Sequence, residues 1–404
     1  MRLKKHNGID AAVYELRPEP TTLGGAVNIP SNGLRLLDRL GLYNELHAVA
    51  SSASHLKVHS SQGAILVDAD MAGWSREHTG GYGFMRVLRT DLIHVLLAET
   101  KKQNIPVHFD KRMTHITETN NGVTVTFADG TEATADLLLG CDGIHSAVRK
   151  LHVNPEATLE YSGISNMFSI LPIARLSEEN RALDPALHAT MTSEGLFGVM
   201  PCTASGDHLY WFYSREVPIP GGQGDREGWE AYGKKEVDGF KDSLIQVLHG
   251  SHGQWADQLR EIIQKTDTIK FYPIYKMPTA AVWSTKRCLI IGDAAHAMQP
   301  HVGQGTSMAL EDVFLLSRLL ENPVRSLTDV FRKYEAIRRP RVEAIARASA
   351  DNGEMRKSMS PLALKMKEAA IGIGFWVYKA ASLQTWGIGM HQKDFAYDVM
   401  AEPI

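Results

Sequence analysis

Apolar and polar positions change period several times in the first third of the chain. Ile9 to Leu16 is a short apolar-rich run ending beside Glu15, and it reads as a buried strand broken by Arg17-Pro18-Glu19-Pro20. Residues 21 to 30 form a Gly-containing loop. Ser31 is placed to cap a helix whose Leu34, Leu37 and Leu40 keep helical spacing until Gly41. Loose alternation from Leu56 to Asp70, with Gln62-Gly63 at its middle, predicts a strand pair. Thr90 to Asn104 turns Leu92, Val95, Leu96 and Ala98 toward a core with helical period. Val123 to Phe127, an Asp129-Gly130 turn and the residues from Thr131 predict a hairpin that runs on into a buried strand, Leu137 to Gly140.

The pattern then changes. Residues 155 to 280 carry many aromatics, short alternating strands such as Leu209 to Tyr213, and one long polar helix near 227 to 249. The earlier character returns at Arg287 to Gly292, where Leu289-Ile290-Ile291 is the continuous apolar run of a central parallel strand. Helices fill most of the rest. The expectation is an α/β protein whose Rossmann-like nucleotide domain is split over 1–150 and 281–345. A sheet-rich substrate domain (151–280) is inserted between its pieces, and a helical segment (346–404) ends the chain.

Composition narrows the function only by exclusion. The 404 residues carry a net charge of −3 with no long basic run, so a nucleic-acid partner is not expected. Cys141, Cys202 and Cys288 are far apart and form no Cys-x-x-Cys pair, which argues against a disulfide framework or a structural zinc site. Met1 to His6 has no apolar core of a secretory signal, and a cytoplasmic location is expected. The longest apolar stretch, Ala369 to Gly389, contains Lys379 and Gln384. It reads as a buried or interface helix pair in preference to a peripheral membrane contact.

The candidate chemistry lies at 287 to 320. Gly292-Asp293 falls at the C-terminal end of a predicted strand, where open α/β sheets bind ligands. A carboxylate there can accept hydrogen bonds from ribose or ribityl hydroxyls. After Met298 to Val302 comes Gly303-Gln304-Gly305, and Thr306 and Ser307 open a long helix with Ala309, Val313, Leu316 and Leu320 on one face. A helix N-terminus offers free N–H groups and a positive dipole end to the negative pyrimidine edge of a reduced flavin. Glycines admit a flat ring close to the backbone. His296 and His301 resemble metal ligands in isolation, but no third residue has matching spacing, and no metal is expected.

The string Gly292-Asp293-Ala294-Ala295-His296, Pro300, Gly303-Gln304-Gly305 and Glu311-Asp312 resembles the second FAD motif of the FAD-dependent aromatic-ring monooxygenases, the p-hydroxybenzoate and salicylate hydroxylase group. Cys141 to Arg149 resembles their middle motif, and Asp394 to Asp398 extends the likeness nearly to the end. The resemblance implies that Glu15 holds the adenosine ribose, and that Arg89, Asp142 and Asp293 serve the flavin and its ribityl-phosphate arm. It further implies that Gly25 and Ala26 run beside the cofactor, and that Gly303, Gln304, Gly305 and Thr306 hold the ring. It implies hydroxylation of an aromatic or phenolic small molecule with NADPH or NADH and O2, by way of a flavin C4a-hydroperoxide. Met200, Tyr210, Trp211, Phe212 and Tyr213 are candidate substrate walls, of which alternation allows only half to face one pocket. The family's Gly-x-Gly-x-x-Gly fingerprint does not precede Glu15. Exposed strand edges are expected in its absence, and the other reading is an N-terminally truncated, flavin-deficient, non-catalytic homologue.

Overall fold

Strand register decides where the motif residues end up. In the computed structural model, which describes residues 1–20, 24–220, 226–278 and 281–404, the nucleotide-type strands form two parallel pairs. β10 (Leu138–Gly140) pairs with β16 (Cys288–Ile290), Gly140 opposite Ile290. β1 (Val13–Tyr14) pairs with β6 (Val107–His108). Among the described residues no ladder joins the two pairs. The expected buried strand from Ile9 to Leu16 is corrected: only Val13 and Tyr14 are strand, and both are exposed. Tyr14 is held instead by stacking on His108 and Phe127.

Beside these pairs lie an antiparallel ribbon and a meander. The ribbon is β2 (Ala26–Pro30) against β5 (Phe84–Leu88), Ala26 opposite Leu88. The meander is β7 (Met113–Glu118), β8 (Val123–Phe127) and β9 (Glu132–Ala135), turned at Gly130 with φ +80° as an Asp-Gly turn requires. Thr21, Thr22 and Leu23 of the Gly-containing loop lie outside the described residues. Helices Ser31–Arg39 and Arg89–Lys102 stand within a residue or two of expectation. Ser31 is not a cap: its hydroxyl donates to the Gly83 carbonyl, across to the neighbouring loop.

The large sheet has the order β15-β11-β14-β13-β12-β3-β4. Its strands are β3 (His55–His59), β4 (Ile65–Asp70), β11 (Glu160–Pro172), β12 (Leu187–Met191), β13 (Gly195–Pro201), β14 (His208–Glu216) and β15 (Lys270–Lys276). It therefore draws β3 and β4 from well before residue 151. Period two sorts its side chains into two faces. Met167, Phe197, Trp211 and Tyr213 pack against helices Phe240–Val247 and Gln254–Lys265, and the Trp211 indole donates to Thr266 Oγ1 at 3.0 Å. Phe168, Tyr210, Phe212 and Tyr272 occupy the other face. The single polar helix expected near 227–249 is two helices, Arg226–Asp238 and Phe240–Val247, parted at Gly239.

The helix Gly305–Leu319 is wrapped more fully than its apolar stripe suggested. Met308, Phe314, Leu315, Leu316 and Leu319 are its buried apolar residues, while Ala309, Val313 and Leu320 are only partly covered. Glu311 and Asp312 are buried too. Farther on, the stretch read as a buried or interface helix pair is one helix, Pro361–Ala380, followed by a 3-10 turn at Leu383–Trp386. Most of its outer face is exposed within this chain, which corrects the buried reading and the pairing of two helices.

Gly140 marks a close approach between strand and helix. A Cβ built there would lie 2.8 Å from both Ile290 Cγ2 and Val148 Cβ. Gly140→Ala should cost about 1–3 kcal/mol of stability by overpacking, read as a lowered urea midpoint. An unchanged midpoint would show that the β10–β16 ladder has room to move apart.

Candidate cofactor site

The ribbon β2–β5 collects the glycines. The Arg89 backbone N–H donates to the Gly25 carbonyl at 3.2 Å. A Cβ on Gly24 would stand 2.3 Å from Arg89 Cδ, and one on Gly25 would stand 2.2 Å from Tyr210 Cε2. A side chain at Gly25 would run into the Tyr210 ring, and one at Gly24 would displace the exposed Arg89 side chain. Gly303, in the left-handed region at φ +64°, lies against the middle of the ribbon, where its Cβ would be 3.3 Å from Asn28 Cβ. Gly25, Ala26, Arg89 and the run Gly303, Gln304, Gly305 and Thr306 therefore converge. Gln304 is buried; its Oε1 accepts from Asn32 Nδ2 at 2.9 Å, and its Nε2 has no partner. A glycine cradle with a buried, unpaired amide donor at a helix start fits a flat ring with a polar edge.

Arg86 sets the spacing between ribbon and sheet. It is fully buried, donates from Nε to Asn28 Oδ1 at 2.8 Å and from Nη1 to the Pro201 carbonyl at 3.1 Å. Desolvation pushes its guanidinium down to about 10, so it stays charged at neutral pH. This clamp holds Tyr210 of β14 over Gly25. Sequence reading missed it, because an arginine in an alternating strand looks solvent-facing.

The β10–β16 register sets Asp142 and Asp293 at neighbouring strand ends. Asp293 is exposed. The Asp142 carboxylate accepts from the backbone N–H groups of Ala147 (2.6 Å) and Val148 (3.1 Å), so it caps the turn that follows. Arg149 ties the two motifs together, donating to the carbonyls of Ala294 (2.8 Å) and Ile144 (2.6 Å). Glu15 stands apart just past the end of β1, where it accepts from the Arg17 N–H at 2.9 Å. Among the described residues no hydrogen bond links it to the other candidates.

Beneath the site runs a buried chain of charges. Asp312 Oδ2 accepts from the Gly292 N–H (2.8 Å) and from His296 Nε2 (2.7 Å), and Oδ1 accepts from Arg338 Nε (2.7 Å). Arg338 Nη1 donates to Glu311 Oε2 at 2.7 Å. Asn32 Nδ2 donates to Glu311 Oε1 at 2.7 Å as well as to Gln304. Burial by itself raises the Asp312 pKa, but His296 and Arg338 outweigh it and hold the carboxyl well below its usual range. His296 thus has Asp312 as its partner, sixteen residues on, and serves the network. The metal-like grouping among the described residues is elsewhere, at Glu118, His152 and Cys288. There Glu118 already accepts from Thr285 and from the Arg287 N–H, holding β7 beside β16.

Fold and site together define a flavoprotein of the split α/β kind. The FAD binding domain family matches residues 3–349, and the chain belongs to that family. It is 26% identical over 362 residues to the 6-hydroxynicotinate 3-monooxygenase of Pseudomonas fluorescens, covering 89% of each chain. It is 25% identical to the salicylate hydroxylase of Pseudomonas putida, covering 90% of this chain and 83% of that one. Among solved structures, Klebsiella pneumoniae HpxO complexed with FAD and uric acid shares the fold at a TM-score of 0.75 and 23% identity, over 92% of this chain and 88% of that one. The chain is an FAD-dependent enzyme of the monooxygenase class that its motifs resemble.

Arg338→Met would strand two buried carboxylates and should cost about 3–5 kcal/mol, seen as a large drop in melting temperature. The pH dependence has a definite sign. The depressed pKa of Asp312 contributes stability that is complete above about pH 4 and is lost as pH falls toward the folded value. Asp312→Asn should therefore be less stable than wild type at neutral pH, with the gap narrowing in acid. A gap that widens in acid would contradict the assignment.

Proposed function

We propose that the protein hydroxylates an aromatic or phenolic small molecule in the cytoplasm, using FAD, NADPH or NADH, and O2. The observation that carries this reading is the placement of Tyr210 over Gly25: the glycine cradle of one body faces the aromatic side of the large sheet. Bound FAD supplies hydride acceptance from the nicotinamide coenzyme and activation of O2 for transfer of one oxygen atom. Gly303, Gln304, Gly305 and Thr306 would hold the ring, with Gly25 and Ala26 alongside. Asp293 and Arg89 would hold the ribityl-phosphate arm and Glu15 the adenosine ribose. Asp142 acts through the turn it caps. We divide the chain as 1–150 with 281–345, 151–280, and 346–404, and assign β3 and β4 to the inserted sheet.

The protein's own part is positioning and exclusion of water. Phe168, Tyr210, Phe212 and Tyr272 offer a flat apolar face to a planar substrate. Of the candidate walls, Tyr210 and Phe212 stand on that face with Met200, which lies opposite Tyr210 in the ladder. Trp211 and Tyr213 are core residues on the far side. Burial, then the neighbouring Tyr272, raises the Tyr210 phenol well above its ordinary value, so it remains a proton donor at neutral pH. The Tyr272 oxygen accepts from Asn166 Nδ2 at 3.0 Å, which leaves its own O–H free to donate to a substrate oxygen.

Two measurements test the reading. Asp293→Ala should weaken FAD by about 1.5–3 kcal/mol in a spectroscopic titration, the scale of a hydrogen bond to a charged group. Unchanged affinity would mean that the ribityl arm lies elsewhere. Aromatic acids and phenols should stimulate NAD(P)H oxidation and gain one oxygen from isotope-labelled O2. Coenzyme oxidation with flavin retained, but with no label in any product, would replace hydroxylation by a dehydrogenase or reductase activity.

A further inference from the structure

The helix Pro361–Ala380 carries apolar residues on two opposite faces, with lysines between them. Its inner face packs Leu364, Ile371 and Gly372 toward the large sheet, where Leu364 and Ile371 join Ala189, Met191 and Leu196. Its outer face is a second stripe: Leu362, Met366, Ala369, Ile373, Trp376 and Ala380, with steps of four and three residues that keep one side of a helix. Leu362 and Trp376 are 70% exposed, Met366 66% and Ile373 65%. Trp386, on the turn that follows, is 69% exposed. A contiguous exposed apolar stripe of this size on a surface helix calls for a partner.

The charges around the stripe select among partners. Lys365, Lys367 and Lys379 are its basic residues, and Lys365 and Lys379 are exposed. Its one acid, Glu368, is buried and accepts from the Ser61 N–H. Asp68, on the neighbouring strand β4, is matched by Lys57 and His55. An exposed apolar stripe with lysines and two tryptophans at its far end is the composition of a helix lying flat in the headgroup region of an anionic bilayer. No helix among the described residues is long and apolar enough to cross a membrane. We propose that Pro361–Ala380, extended by Trp386, docks the protein on the surface of a membrane containing anionic phospholipid. The proposal does not depend on the hydroxylase reading.

The test uses the full chain with vesicles of phosphatidylcholine alone and of phosphatidylcholine with phosphatidylserine. Wild type should sediment with the phosphatidylserine vesicles, and acyl-brominated lipid should quench its tryptophan fluorescence. The exposed-site pair Ile373→Glu with Trp376→Glu should lower vesicle partitioning by at least about tenfold. The pair Lys365→Glu with Lys379→Glu should lower it about tenfold or more and flatten its salt dependence. Melting curves matching wild type show that neither loss is unfolding, and the lysine pair tests the proposal even if the apolar pair folds poorly. The proposal is overturned if wild type stays in the supernatant with both vesicle types, or if it binds the neutral vesicles equally well. It is also overturned if light scattering shows a dimer, without vesicle binding, that Ile373→Glu with Trp376→Glu dissolves; the stripe would then meet a second copy of this chain.

Discussion

The site depends on keeping Asp312 ionised where no water reaches it. Burying one carboxylate costs several kcal/mol unless opposite charge and hydrogen bonds replace its hydration. Here both oxygens are saturated by Gly292, His296 and Arg338. The compensation is also a positioning device. From the Gly292 N–H the bonds run through Asp312, Arg338, Glu311 and Asn32 to Gln304. The strand end before Asp293 and the helix start at Gly305 are thus fixed by one network. If the two segments hold one ligand, as proposed, these charges give them a common reference.

The same network marks the limit of what the sequence reveals. Gly292-Asp293 to Gly305 was legible because strand, turn and helix are written locally, in an apolar run, a Gly-Asp pair and a Gly-x-Gly. The Val123 to Ala135 hairpin was legible for the same reason. Arg338 left no local sign: in a long helix with many charged residues it looks like any solvated arginine, and its meaning comes from two carboxylates some twenty-six residues away. Glu311 and Asp312 belong to the motif string, but their burial has no local sign either, since acids ordinarily mark the wet face of a helix.

The misread strands and helices share another cause. The run from Ile9 to Leu16 has the composition of a buried strand, but burial belongs to the neighbours, and among the described residues β1 pairs only with β6. Ala369 to Gly389 has the composition of a covered helix, and its cover is likewise a question of partners. Periodicity states what a segment is able to bury; only the assembled chain states what it does bury.

The ribbon β2–β5 is constrained from both sides. Gly303 approaches Asn28 at its middle, and Tyr210 approaches Gly25 just before its first residue. Arg86 fixes the gap by bonding to Asn28 and to the Pro201 carbonyl at the end of β13. The cradle residues therefore sit on the ribbon and the Gly305–Leu319 helix. The aromatic face opposite belongs to β11, β14 and β15, whose register is set independently by the seven-stranded sheet. Changes along that face can alter which planar molecule fits without moving Gln304 or Gly25, whereas a side chain at Gly25 would push against Tyr210 and the ribbon together. In the proposed reading, cofactor grip and substrate choice are carried by different elements, which meet at the contact between Gly25 and Tyr210.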